Sequence, residues 1–224
     1  MSDQKVIKIT HKLFAKWWQL LESLQVEEIA AREVFNQLVV AYSSPGRYYH
    51  TLEHIQHVLD TIDTFKHQMQ DFSAVEFAAW FHDVIYDTQA QDNEQQSAIY
   101  AGEFLKLLGV SHSIITKTKS LILNTKYHQA EADDFDAQVL LDADLAILGS
   151  HPQHYRQYAL LIRQEYAWLP DTEFFTGRKQ ILQQFLHRER IYFTDLMFIK
   201  LEAIARKNLK AELMWIEQTS ESTQ

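Results

Sequence analysis

Few residues in this chain can stop a helix: five Gly and three Pro in 224 residues, and those few fall between periodic segments rather than inside them. Phe14, Trp17, Trp18 and Leu21 recur at helical spacing, as do Leu52, Ile55, Val58, Leu59 and Ile62. Ser73 with Glu76 reads as a capping box ahead of Phe77, Ala78, Trp80 and Phe81. Ala98, Ala101, Leu105 and Leu108 share a face, Gly109 reads as a stop, and Ser111 reads as the cap of a helix reaching about Lys126. Gly149 and Pro152 punctuate the next stretch, Pro170-Asp171 opens another helix, and the pattern is again helical from Thr194 to about Trp215. Alternating strands and two-residue hairpin signals are lacking, as are internal repeats and linkers. The expectation is all-α: one domain over residues 1–224, of about nine or ten helices.

Composition narrows the function. The net charge of −9 argues against a nucleic-acid polymer or an anionic membrane as the main partner. With no cysteine there is no disulfide framework, zinc ribbon or thiol nucleophile, so any metal must be held by nitrogen and oxygen. The opening MSDQKVIKIT lacks the basic end and apolar run of a signal peptide, and no apolar stretch approaches the roughly 20 residues that cross a bilayer. A cytoplasmic location is expected.

Eleven histidines and a few misplaced acids carry the chemistry. His50, His54 and His57 are spaced i, i+4 and i+7, as one stripe of the helix bearing Leu52 and Ile55. In "WFHDVIYD" an apolar, aromatic stretch that reads as a buried helix carries His82 and Asp83 side by side, with Asp87 one turn on. In "LLDADLAILG" Asp142 and Asp144 interrupt an apolar run. Buried charge is costly unless something pairs with it. A cation needing deprotonated nitrogen and oxygen ligands accounts for both anomalies.

A His, then a His-Asp pair, then a distant Asp, all on helices, resembles the HD-domain superfamily of metal-dependent phosphohydrolases. It resembles in particular a bacterial branch of small predicted HD phosphohydrolases. The resemblance rests on "GRYYHTLEHI", "FHDVIYD", "DNEQQSA" and "LLDADLAILG", in that order, within residues 46–149. A helical C-terminal extension over 150–218, including "RERIYFTDL", also looks like that branch. The resemblance implies His54, His82, Asp83 and Asp144 as ligands of a divalent transition metal: Mn, Fe, Co, Ni or Zn, with Mg possible. His50 or His57 is an alternative to His54. Asp142 is the alternative to Asp144, or an acceptor for a ligand histidine. Arg47 resembles a phosphate-binding arginine and His50 would bond the same phosphate. Asp87 or Glu94 would orient the attacking water. Lys126 and His128 could face the pocket, and His128 could reach a second metal.

The function implied is hydrolysis of a nucleotide or another small phosphomonoester by metal-activated water. Two alternatives stand beside it. One is an HD-type diiron oxygenase, for which the interval before Asp144 offers only His112 and His128, with His112 expected to be exposed. The other is a non-catalytic module that binds metal or nucleotide for regulation. Arg178, Arg188 and Arg190 are expected at the surface or paired with Glu189, away from substrate.

Overall fold

The computed structural model describes residues 3–221, with side chains over 7–219. Among the described residues there are ten α-helices and no strand, so the chain is all-α. None of these helices is long and apolar enough to cross a membrane. The chain divides after Ala143 into two compact units.

The first unit comprises α1 (Asp3–Ser23), α2 (Glu28–Tyr42), α3 (Leu52–Ile62), α4 (Phe72–Phe81), α5 (Asn93–Leu107), α6 (His112–Thr125) and α7 (Phe135–Asp144). The division falls at the end of α7, and Asp144, its last residue, is carried by that helix. Helix α4 is central, packing against α3, α5 and α6, and every residue from Ala74 to Phe81 is buried. Its aromatic side meets α1 edge-on: Trp17 lies 5.8, 5.5 and 6.1 Å from the rings of Phe77, Trp80 and Phe81. Such T-shaped contacts add to the area they bury. Trp17 also needs a polar partner, and its Nε1 donates to Ala31 O at 2.8 Å on α2.

The capping reading around Ser73 is wrong by two residues. Helix α4 begins at Phe72, and its cap is Asp71, whose carboxylate accepts from Ala74 N. Asp71 is a better acceptor than Ser73 here because Asp136 on α7 takes the Gln70 and Asp71 amides and fixes the approach. Glu76 is thereby buried within the helix. Two other ends follow the sequence. Ser111 caps α6 by accepting from Ile114 N, and Gly109 stops α5 with φ of +72°, a left-handed conformation that suits glycine.

The second unit holds a 3-10 turn over Leu145–Gly149, then α8 (Pro152–Glu165), α9 (Asp171–His187) and α10 (Asp195–Glu221). Helix α10 packs on the 3-10 turn and on α9. The segment "RERIYFTDL" is the turn between α9 and α10. Glu202 accepts from the Ile191 and Tyr192 amides, and Arg206 donates to the carbonyls of Leu186, Arg188 and Glu189. The expectation of a surface role fails for Arg178, which is buried and paired with Glu212 at 2.8 Å, while Arg190 pairs with Asp195 rather than Glu189.

Candidate metal centre

The site is built on a helix end. Helix α4 stops at Phe81, so His82 is its C-cap and Asp83 lies beyond it; the pair is not inside a continuous helix as "WFHDVIYD" suggests. A helix leaves its last carbonyls without intrahelical partners. Ala78 O keeps its helical donor, His82 N; beyond it, Ala79 O accepts from His82 Nδ1, Trp80 O from the Tyr42 hydroxyl, and Phe81 O from Val84 N. Asp83 O and Val84 O accept from Arg47, and Ser97 Oγ bonds both the amide and the carbonyl of Ile85.

This termination fixes the chemistry of His82. A carbonyl can only accept, so His82 Nδ1, 3.0 Å from Ala79 O, carries the proton. In the neutral ring Nε2 then presents a lone pair. That atom lies 3.2 Å from His54 Nε2 and 3.1 Å from Asp83 Oδ2, and His54 Nε2 lies 3.7 Å from the same oxygen. Asp144 completes the group, with one carboxylate oxygen within 4.8 Å of both histidine nitrogens. Ligands bonded to one transition metal at about 2.0–2.1 Å stand roughly 2.9–3.4 Å apart. Two of these separations fall in that range and the third lies just outside it. His54, His82 and Asp144 are thus brought together in a cluster that could hold a metal ion, and Asp83 adjoins it.

His54 reaches this point from α3, where it takes a place on the apolar face beside Ile55 and Val58. The histidine stripe read from spacing does not form. Thr51 caps α3 and Leu52 begins it, so His50 lies before the helix, while His57 is exposed. His50 nevertheless stands by the cluster, its Nε2 3.9 Å from Asp83 Oδ2 and its ring 5.6 Å from that of His54. Asp142 is fully buried.

The remaining predicted residues separate into near and otherwise engaged. Asp87 is exposed in a turn, its Oδ1 accepting from Gln89 N, so the one-turn relation to Asp83 disappears with the helix that implied it. Glu94 is half-buried in the first turn of α5. Lys126 donates to Gln91 O and Gln95 Oε1, tying the end of α6 to the start of α5. His128 is half-buried with φ of +48°, and His112 is exposed. Arg47 spends its guanidinium on main-chain carbonyls: His50 O at 3.2 Å, Asp83 O at 2.8 Å and Val84 O at 2.8 Å. The expected phosphate clamp is therefore also a tie within the chain.

Two tyrosines escaped the reading of the sequence. Tyr49 packs 5.0 Å from the rings of both His50 and His54, and Tyr86 lies 4.3 Å from His50. The signal was present in "YYH" and "IYD", where an aromatic adjoins each polar motif. The chain matches no protein-family model, no curated protein and no solved structure.

Proposed function

We propose that the protein is a metal-dependent phosphohydrolase acting on a small phosphomonoester, a nucleotide being the first class to test. The observation that carries this reading is the meeting of His54 Nε2 and His82 Nε2 at 3.2 Å, with carboxylates of Asp83 and Asp144 beside them. The donor set fits Mn, Fe, Co, Ni or Zn, and fits Mg less well. Held by these four residues, a divalent cation supplies Lewis acidity toward a phosphoryl oxygen and acidifies water. The order of the motifs resembles HD phosphohydrolases, and that resemblance supports the reaction class.

The chain's own groups supply the rest. The Ala79 carbonyl holds the His82 ring and its tautomer, as outer partners of ligand histidines do. His50 is half-buried beside Asp83 and braced on Tyr86, and in this reading it would donate to a phosphate oxygen. Of the two carboxylates considered for proton transfer, Glu94 is favoured, because Asp87 already closes its own turn.

The test is phosphate release by chelator-stripped protein reloaded with each cation, across nucleotides and sugar phosphates. Turnover restored by one cation per chain is the expected result. Two irons per chain with oxygen consumption would instead indicate an oxygenase, and tight metal binding without turnover a regulatory module.

A further inference from the structure

We propose that Arg47 is a positioning residue for Asp83, acting through the main chain. The inference rests on the metal-dependent reading above and adds to it what holds one ligand in place. Asp83 lies past the end of α4, in a turn that Val84 N closes by donating to Phe81 O. Arg47 adds a second restraint, from outside the turn. Its Nη1 donates to Asp83 O at 2.8 Å and its Nη2 to Val84 O at 2.8 Å, so two successive carbonyls after the Asp83 side chain are gripped by one planar group. Nη1 also donates to His50 O at 3.2 Å, which joins this turn to the segment leading into the α3 helix of His54. A single side chain thus links the two stretches whose ligands must meet.

The guanidinium is itself held. Its Cζ lies 5.0 Å from the Tyr42 ring centroid and 5.2 Å from that of Tyr86. Both distances are within cation–π range. Tyr42 is anchored by its hydroxyl to Trp80 O at 2.9 Å, and Tyr86 rests on His50. A planar fork can serve three carbonyls in fixed directions, which an ammonium on a flexible stem cannot do. Loss of the fork removes the hold on the Asp83 and Val84 carbonyls and loosens the turn that carries the carboxylate now 3.1 Å from His82 Nε2.

The experiment uses the full-length protein stripped with chelator and titrated with Co(II), reading the dissociation constant and the visible absorption of the bound ion. Circular dichroism and metal-free melting are measured alongside. Arg47→Lys should keep wild-type helical content, bind Co(II) about 10–100-fold more weakly, and shift the visible bands. Tyr86→Leu, which removes one side of the aromatic brace, should move affinity the same way by a few-fold. Unchanged Co(II) affinity and spectrum in Arg47→Lys overturns the proposal. So does a variant that loses only affinity for inorganic phosphate, since that is the signature of a direct phosphate contact. Should Arg47→Lys fail to fold, Tyr86→Leu decides, and wild-type Co(II) affinity in that variant overturns the proposal. Failure of the wild-type protein to take up Co(II) is a separate result that removes the metal-dependent reading itself.

Discussion

His54 and His82, 28 residues apart in sequence, meet Nε2 to Nε2 at 3.2 Å with both rings buried. One comes from the first turn of α3, the other from the cap of α4. Two imidazole nitrogens so placed share either a proton or a cation, since two lone pairs facing each other repel. The nearby carboxylates of Asp83 and Asp144 favour positive charge at this point.

The first prediction separates the two acids of "LLDADLAILG". Asp144→Ala should abolish tight metal binding, because Asp144 places an oxygen within 4.8 Å of both histidine nitrogens. Asp142→Ala should do less: if Asp142 orients a ligand histidine, the expected loss of affinity is about 10–100-fold. A cation at 100 times its dissociation constant stabilises the fold by about 2.7 kcal/mol. Chelator should therefore lower the melting temperature of the wild type and leave that of Asp144→Ala unmoved. Full metal occupancy in Asp144→Ala would remove it from the site.

The second prediction concerns Glu76, buried on α4 with Lys16, Asp63 and Lys66 around it. Burial pushes its carboxyl pKa up to about 7 against the opposing pull of Lys16. The folded form therefore keeps its proton over a range in which the unfolded chain has released it. Stability from this group is full below about pH 4.5, falls as pH rises, and is lost by about pH 7. The difference is on the order of 3 kcal/mol. Urea denaturation of metal-free protein should show Glu76→Gln more stable than wild type at pH 8 and close to it at pH 5. Equal urea midpoints at pH 8 would contradict the burial argument.

How much was legible depends on whether the determinant was local. Helical periodicity, the Gly109 stop and the Ser111 cap are local, and they read correctly. The end of α4 is not. "WFHDVIYD" has no Gly or Pro, and the helix stops because Tyr42, Arg47 and Ser97, all distant in sequence, take the exposed polar groups. Reading through that end carried Asp87 onto a helical face it does not have. Reading backward through Thr51 likewise put His50 into α3. Asp71 displaced Ser73 as a cap because Asp136, on another helix, accepts from the Gln70 and Asp71 amides and fixes the approach. Arg178 was misread for the same reason, since its partner Glu212 lies on a different helix and no local pattern announces the pair.

That pair gives the third prediction. Arg178 donates to both carboxylate oxygens of Glu212, at 2.8 and 3.0 Å, and the Tyr155 hydroxyl donates to Glu212 as well. Burial works against the charge on Arg178, yet Tyr158, Glu212 and Tyr155 hold its pKa above the ordinary value. Arg178→Met leaves a carboxylate buried without its cation and should cost about 3–5 kcal/mol. Arg178→Met with Glu212→Leu should recover much of that loss, because the desolvated charge goes with its partner. Denaturant midpoints for the two singles and the double give the coupling. A double variant as unstable as Arg178→Met would mean that packing, not charge, sets the cost.

The last prediction tests the junction of the 3-10 turn with α10. A Cβ built on Gly149 would stand 2.5 Å from Leu201 Cβ, 3.0 Å from the Tyr192 hydroxyl and 3.1 Å from Leu201 O. None of these is the loose end of a flexible chain. Tyr192 is fully buried and donates to Leu145 O at 3.0 Å, and Asn208 Nδ2 donates to both Leu148 O and Ser150 O at 2.9 Å. The turn is thus held on both sides of Gly149 and cannot shift to admit a methyl group without losing hydrogen bonds. Gly149→Ala should cost about 1–3 kcal/mol through overpacking. The ordinary gain from replacing glycine, about 0.4–1 kcal/mol through the unfolded chain, is too small to offset it. The check is the urea midpoint beside that of Gly177→Ala, where the added Cβ meets nothing within 4 Å and α9 should gain stability. If Gly149→Ala is as stable as Gly177→Ala, the close approach of α10 to this turn is wrong.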